Sequence, residues 1–235
     1  MRIVCLQHID YEGPEKVGDW ARERGHDLTV VTPVLEAFPD PAGFDMLVVL
    51  GGPMGAYEER AYPWLVAEKR FIADAIAAGR KVLGICLGSQ LVAEALGGRA
   101  HPHTVREVGW IPARLTTAGV YGHVLSVLPE TFLAGEWHGD TFDLPEGVKT
   151  FAVTDTCENQ AFECAGGRVV GLQFHLEWTP EAIVGLVRRH GDWLAAVPGG
   201  EPNVATEADF LSQLPALARG QEMFYALLDR MEALA

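Results

Sequence analysis

The sequence predicts an α/β fold: a doubly wound, mostly parallel open sheet with helices on both faces, a small antiparallel β annex and a C-terminal helical extension. Three observations carry this expectation. Short, continuous apolar runs alternate with helically spaced segments from Arg2 to Leu96, as strands buried on both faces do. From Val108 to Phe174 strand-like runs follow one another without intervening helices, which reads as antiparallel pairing. Residues 204–235 return to helical spacing.

Arg2 to Gln7 is the first buried run. Gly13-Pro14-Glu15 opens a helix with proline in its first turn, and Gly25 closes it after Arg24. Leu28 to Thr32 is the second strand; Pro33, Pro39 and Pro41 punctuate the loop behind it, with Phe38 as its anchor. Asp45 to Leu50 is the third strand. Gly51-Gly52-Pro53-Met54-Gly55 follows and is too rich in glycine and proline for regular structure. It forms a rigid turn at the carboxyl end of a strand, where open α/β sheets place ligands. A helix from Pro63 to Ala78 leads to the strand Val82–Ile85 and a helix with apolar positions at Leu87, Leu91, Val92 and Leu96.

Beyond Gly97-Gly98 the expected strands are Val108–Arg114, Tyr121–Leu128, Glu136–Phe142, Thr150–Thr154, Gln160–Cys164 and Arg168–Phe174. Ala165-Gly166-Gly167 is the turn of a hairpin. Thr179-Pro180-Glu181 caps a helix reaching His190. Val197 to Asn203 reads as a linker, and the tail as two helices broken near Gly220. The division expected is a main domain over 1–195 and a linker with helical extension over 196–235. The tail's apolar faces pack on the domain or on a second copy of the chain, as in a homodimer.

The 235 residues carry a net charge of −14, which argues against nucleic acid and against anionic membrane surfaces. The chain opens on a strand-like run rather than a leader, and no apolar stretch approaches the ~18 residues of a spanning helix. A soluble, cytoplasmic protein acting on a small molecule is expected. The four cysteines, Cys5, Cys86, Cys157 and Cys164, form neither a disulfide framework nor paired zinc spacing. His101-Pro102-His103 lacks a carboxylate or thiol at ligand spacing and reads as a polar loop.

Two motifs carry chemistry. In Gly84-Ile85-Cys86-Leu87-Gly88, a thiol sits at a strand-to-helix switch, the arrangement of a nucleophile elbow. Such a turn lifts the sulfur out of the sheet and sets it at a helix N-terminus, which favours the thiolate. A buried structural cysteine is the alternative. His175-Leu176-Glu177 ends the last strand-like run, and a period of two puts both side chains on one face. The glutamate reaches the imidazole, fixes its tautomer and stabilises the imidazolium.

Together with Gly51–Gly55, Trp137-His138-Gly139-Asp140 and Gln173-Phe174-His175-Leu176-Glu177, in this order and spacing, the elbow resembles the class I glutamine amidotransferases. The resemblance is nearest to stand-alone members related to the glutaminase domain of GMP synthase, and it covers residues 1 to 190. It implies hydrolysis of the L-glutamine side-chain amide, with Cys86 as nucleophile, His175 as general base and then acid, and Glu177 orienting it. Backbone N–H groups near Gly52 and Leu87 would form the oxyanion hole. Gln90 and the backbone around Trp137 and Gly139 would hold the α-amino and α-carboxylate ends, with His138 and Asp140 shaping the same pocket. It implies no metal and no cofactor. Trp137 stands where the family commonly has Ser or Asn, and its bulk leaves a γ-glutamyl compound open as substrate beside free glutamine.

Two other readings are compatible with the sequence. A cysteine hydrolase similar to dienelactone hydrolase would use Asp140 or Asp155 as its acid. Alternatively, with no ATP-pyrophosphatase module in its length, the chain would be an ammonia-delivering subunit of an ATP-dependent synthase.

Overall fold

The computed structural model describes residues 1–195, 201 and 203–234. Its strands are β1 (Arg2–Leu6), β2 (Asp27–Val31), β3 (Met46–Val49), β4 (Lys81–Ile85) and β5 (Arg99–Leu115), then β6 (Thr131–Asp143), β7 (Thr150–Val153), β8 (Ala161–Cys164) and β9 (Val169–Leu172). They form one sheet in the order β2-β1-β3-β4-β9-β8-β7-β5-β6. The half from β2 to β9 is parallel, and β9, β8, β7, β5 and β6 pair antiparallel. β9 is therefore the seam: it runs with β4 on one side and against β8 on the other.

The helices are α1 (Glu15–Glu23), α2 (Trp64–Ala77), α3 (Leu87–Ala95), α4 (Thr117–Val120), α5 (Pro180–His190), α6 (Asp192–Ala195), α7 (Glu207–Ser212) and α8 (Leu217–Glu232). Strand alternation sorts them onto two faces. Ile3, Cys5, Met46, Val48, Leu83 and Ile85 pack with Val17 and Trp20 of α1 and with Phe224, Leu227 and Met231 of α8. Their neighbours Val4, Leu6, Leu47, Val49 and Val82 pack with Leu65 and Ile72 of α2 and Leu91 and Val92 of α3. Period-two alternation thus feeds two separate cores from one sheet. A third cluster joins Trp178, Ile183 and Val187 to Phe210 and Leu217, against Trp110 and Trp137 of the antiparallel half.

The tail shares the core of the first face. Trp20 Nε1 donates to Asp229 Oδ1 at 2.7 Å, and Lys81 Nζ donates to the Glu232 carbonyl at 2.8 Å. Val108 N donates to the Asn203 carbonyl at 2.9 Å, and Ala205 N donates to the Val108 carbonyl at 2.8 Å.

Several expectations are corrected. Tyr121–Leu128 is not a strand: α4 precedes it and a 3-10 turn occupies Leu125–Val127. The Glu163 carboxylate accepts from the N–H groups of His123, Val124 and Leu125, which satisfies that backbone without a neighbouring strand. His101 and His103 lie in β5, which runs from Arg99 with a bulge between Pro102 and Glu107. The tail breaks at Gln213 and the turn Leu214–Ala216, where Pro215 lacks an N–H, and α8 runs straight through Gly220. Most of the expected linker Val197–Asn203 lies outside the described residues. Among the described residues no helix is long and apolar enough to cross a membrane.

Candidate active site

Cys86 follows β4 directly and precedes the first residue of α3. Its backbone takes φ 53°, ψ −113°, a conformation disfavoured for any side-chain-bearing residue. Glycines on either side make the bend feasible. A Cβ on Gly88 would collide with the Val49 carbonyl, and one on Gly84 with the backbone of Gly88. Ser89 N and Ser89 Oγ both donate to the Cys86 carbonyl, at 2.9 and 2.7 Å. The first N–H groups of α3, Leu87 among them, have no helical partner. Gly52 faces Leu87: a Cβ there would stand 3.1 Å from Leu87 Cδ2. The loop Gly51–Gly52 is fixed from behind by buried His8, whose Nδ1 lies 2.8 Å from the Gly51 carbonyl and whose Nε2 lies 2.9 Å from Glu68 Oε1. Burial opposes charge on His8, but Glu68 and the Gly51 carbonyl outweigh it and raise its pKa.

His175 comes from the seam. β9 ends at Leu172, earlier than the expected Phe174, and His175 makes an isolated antiparallel bridge with Gly135 of β6. His175 N donates to the Gly135 carbonyl at 2.8 Å, and Gly135 N to the His175 carbonyl at 3.2 Å. The bridge holds the extended backbone that two-residue alternation needs. His175 Nδ1 lies 2.6 Å from Glu177 Oε1, and Leu176 N donates to Glu177 Oε2 at 3.0 Å. Trp178 stacks on the ring, with centroids 3.9 Å apart and planes at 12°. Burial disfavours the imidazolium, yet the Glu177 carboxylate and the Cys86 sulfur outweigh it, and the His175 pKa is pushed up to about 10.

Because β4 and β9 are parallel neighbours, their carboxyl ends bring Cys86 and His175 to one cavity of about 340 Å³. Gly52, Leu87, Gln90, Trp137, His138, Gly139 and Asp140 also line it. The Trp137 carbonyl lies 4.0 Å from Cys86 Sγ. Gln90 Nε2 donates to Gln173 Oε1 at 3.1 Å. His138 is buried, with Nδ1 2.9 Å from the Asp140 carbonyl and Nε2 3.0 Å from Glu107 Oε2. Asp140 accepts from the Tyr57 hydroxyl. Its carboxylate serves Tyr57, and Asp155 pairs with Arg114, while the His175 ring is served by Glu177.

The model of the family described as glutamine amidotransferase class-I matches residues 15–184. The chain belongs to the class I glutamine amidotransferase family. The glutamine amidotransferase-like protein YfeJ of Salmonella typhimurium is 35% identical over 204 residues, 85% of each chain. A GMP synthase of Syntrophomonas wolfei is 40% identical over 100 residues, 42% of this chain but 19% of its own length, so the match spans about a fifth of that enzyme. Among solved structures, a glutamine amidotransferase from Thermotoga maritima superposes with a TM-score of 0.87 at 27% identity, covering 100% of this chain and 99% of its own. One from Methylobacillus flagellatus gives 0.92 at 25% identity, covering 98% and 94%.

The amidotransferase site holds residues the sequence reading passed over. Glu12 lines the cavity beside Cys86 and His175. Its place between a strand end and Gly13-Pro14 was the available signal, because loops at strand carboxyl ends carry ligands. Trp193 stacks on Trp137 with planes at 8°, and Arg106 covers Trp193 while its Nη2 donates to Glu201 Oε1 at 3.0 Å. Glu107, His138 and Cys157 place three metal-ligand atoms within 4.8 Å of one another. Both Glu107 oxygens are already engaged, Oε1 by the hydroxyls of Thr154 and Thr156 and Oε2 by Gln160 Nε2 and His138 Nε2. The group reads as a closed hydrogen-bond cluster bracing β6 behind the cavity.

Proposed function

We propose that this chain hydrolyses the side-chain amide of L-glutamine to glutamate and ammonia through Cys86, His175 and Glu177. One observation carries the reading: a thiol on a strained elbow shares a cavity with an imidazole held at 2.6 Å by a buried carboxylate. An amide carbonyl is a poor electrophile, so the thiolate is needed as attacking group. Cys86 Sγ adds to the amide carbon, and the oxyanion is met by the N–H groups of Gly52 and Leu87. Removing one such donor typically costs ~100- to 1,000-fold in rate. The His175 imidazolium gives its proton to the amide nitrogen, the C–N bond breaks and a γ-glutamyl thioester remains. Neutral His175 then takes a proton from water, whose oxygen attacks the thioester and frees Cys86. Glu177 holds the ring and its charge throughout.

Gln90 and the backbone at Trp137 and Gly139 take the amino-acid end of the substrate in this reading, and His138 and Asp140 shape the wall. Residues 1–195 form the amidotransferase unit, and the extension 196–235 backs its pocket through Phe210, which packs on Trp137 and Trp178. The test is ammonia and glutamate release from L-glutamine by the purified chain beside Cys86→Ala, with γ-glutamyl amides run in parallel. Activity confined to the wild type supports the reading. Equal release by both proteins refutes it, and hydrolysis of γ-glutamyl amides alone moves the substrate to that class.

A second reading has one supporting observation: GMP synthases carry the matched region as a minor part of a longer chain. An ammonia-consuming synthase partner would then raise the glutaminase rate, and activity indifferent to added cell extract would count against it.

A further inference from the structure

Behind His175 lies a second, small cavity of about 20 Å³. Its wall includes Tyr11, Glu12, Glu15, His175, Glu177 and Trp178, and it shares Glu12, His175 and Trp178 with the large pocket. This volume holds about one water-sized molecule. Two of its carboxylates are already used: Glu177 holds His175, and Glu15 Oε2 accepts from Thr179 Oγ1 at 2.7 Å. Glu12 makes no hydrogen bond among the described residues. Its position is defined by Gly51, because a Cβ built there would stand 2.8 Å from Glu12 Oε2, 3.6 Å from Cys86 Cβ and 3.7 Å from His175 Cε1. An unengaged carboxylate oxygen therefore lies beside Gly51, with the Cys86 Cβ and the His175 ring bordering the same space. Burial raises the Glu12 pKa, and Glu177 adds to that, against the pull of His175 and His8; no donor among the described residues hydrogen-bonds the carboxylate so placed.

We propose that Glu12 and the niche behind His175 form the ammonium site of the reaction. The inference rests on the glutaminase reading above. In the acylation step the S–C bond forms, the C–N bond breaks, and the His175 proton completes ammonia. Ammonia takes a fourth proton from solvent and is held as ammonium against the Glu12 carboxylate. As ammonium it has no lone pair, so it cannot attack the thioester and regenerate glutamine. The niche's single-molecule volume admits ammonium and a bare monovalent ion of its size, and excludes alkylammonium ions.

The test uses the whole chain and two readouts. Crystals of wild type and Glu12→Gln are soaked in rubidium chloride, rubidium being close to ammonium in size and visible by anomalous scattering. A rubidium peak beside Glu12 in wild type that is lost in Glu12→Gln is the expected result. In solution, inhibition of glutamine hydrolysis by ammonium chloride, against sodium chloride at equal ionic strength, weakens about tenfold in Glu12→Gln, the scale of one charge-assisted contact. Glu12→Asp, which keeps the charge, serves if the glutamine variant folds poorly, and gives an intermediate inhibition constant. A wild-type niche without rubidium, or a peak and inhibition unchanged in Glu12→Gln, overturns the proposal. Absence of glutamine hydrolysis in wild type overturns the glutaminase reading instead, and the rubidium map still decides the niche.

Discussion

Glu177→Gln is the perturbation that most directly tests the site's electrostatics. It preserves the shape of the side chain and removes its charge. In the wild type, the His175 pKa is pushed up from its ordinary 6.5 to about 10, a preference on the order of 5 kcal/mol for the imidazolium at 1.36 kcal/mol per pH unit. Two partners create it: Glu177 at 2.6 Å, and the sulfur of Cys86, which lines the same cavity. Glu177 is the largest of the causes that raise it, so His175 in the variant should titrate lower by on the order of one to two pH units. Because the wild-type pKa is raised, this stabilisation is fully present below pH 6.5 and is lost as pH rises through 10. Histidine-selective carbon-13 labelling at Cε1 reads the titration directly. In the same variant kcat falls ~100- to 10,000-fold, the usual range for a mis-set general acid and base. A His175 titration still near 10, or an unchanged kcat, would refute the reasoning.

Two further outcomes follow from groups behind the cavity. His8→Ala frees the Gly51–Gly52 loop and strands the buried Glu68 carboxylate; thermal unfolding should show a loss of ~1–3 kcal/mol, and, with the Gly52 N–H as the proposed oxyanion donor, kcat should fall more than KM rises. Glu136 is buried, and both its carboxylate oxygens lack a hydrogen bond among the described residues. His138 Nε2 lies 3.3 Å from Glu136 Oε2 but is closer to Glu107 Oε2, at 3.0 Å. Burial pushes the Glu136 pKa up to about 7, so its ionisation costs stability as pH rises from 4.5 through 7. Glu136→Gln should therefore stabilise the protein by roughly 1–3 kcal/mol at pH 8 and leave it unchanged below pH 4.5, by denaturant unfolding at both pH values.

The parallel half of the fold was legible because its signals are local. Ile3 to Leu6, Met46 to Val49 and Val82 to Ile85 are apolar on both faces, and no other element type reads that way at such length. The elbow was legible because Gly84 and Gly88 are required by close approach. The antiparallel half was less so. Val108–Arg114 was legible as a strand despite Pro112, but the start of β5 carries His101, Pro102 and His103, which a strand facing solvent on one side tolerates and the sequence presents as a polar loop. Tyr121–Leu128 has a strand's composition, but its backbone is satisfied by a side chain 38 to 40 residues away. His175 and Glu177 were paired on the right spacing for an incomplete reason: the extended backbone there is kept by a bridge to Gly135, not by β9 itself. Glu12 had only its place after a strand end as a signal, and Trp178 and Arg106 carry no pattern; the fold brings all three to the cavity.

The seam at β9 has a consequence for assembly. Cys86 is synthesised well before His175, and the chain between them makes the whole excursion through β5, β6, β7 and β8 before β9 can slot in beside β4. Pairing over such a sequence separation is slow, because loop closure precedes any contact that rewards it. Until β9 docks beside β4, the chain carries the Cys86 thiol without His175 beside it. The cavity that Cys86 and His175 share is therefore completed only when that pairing forms.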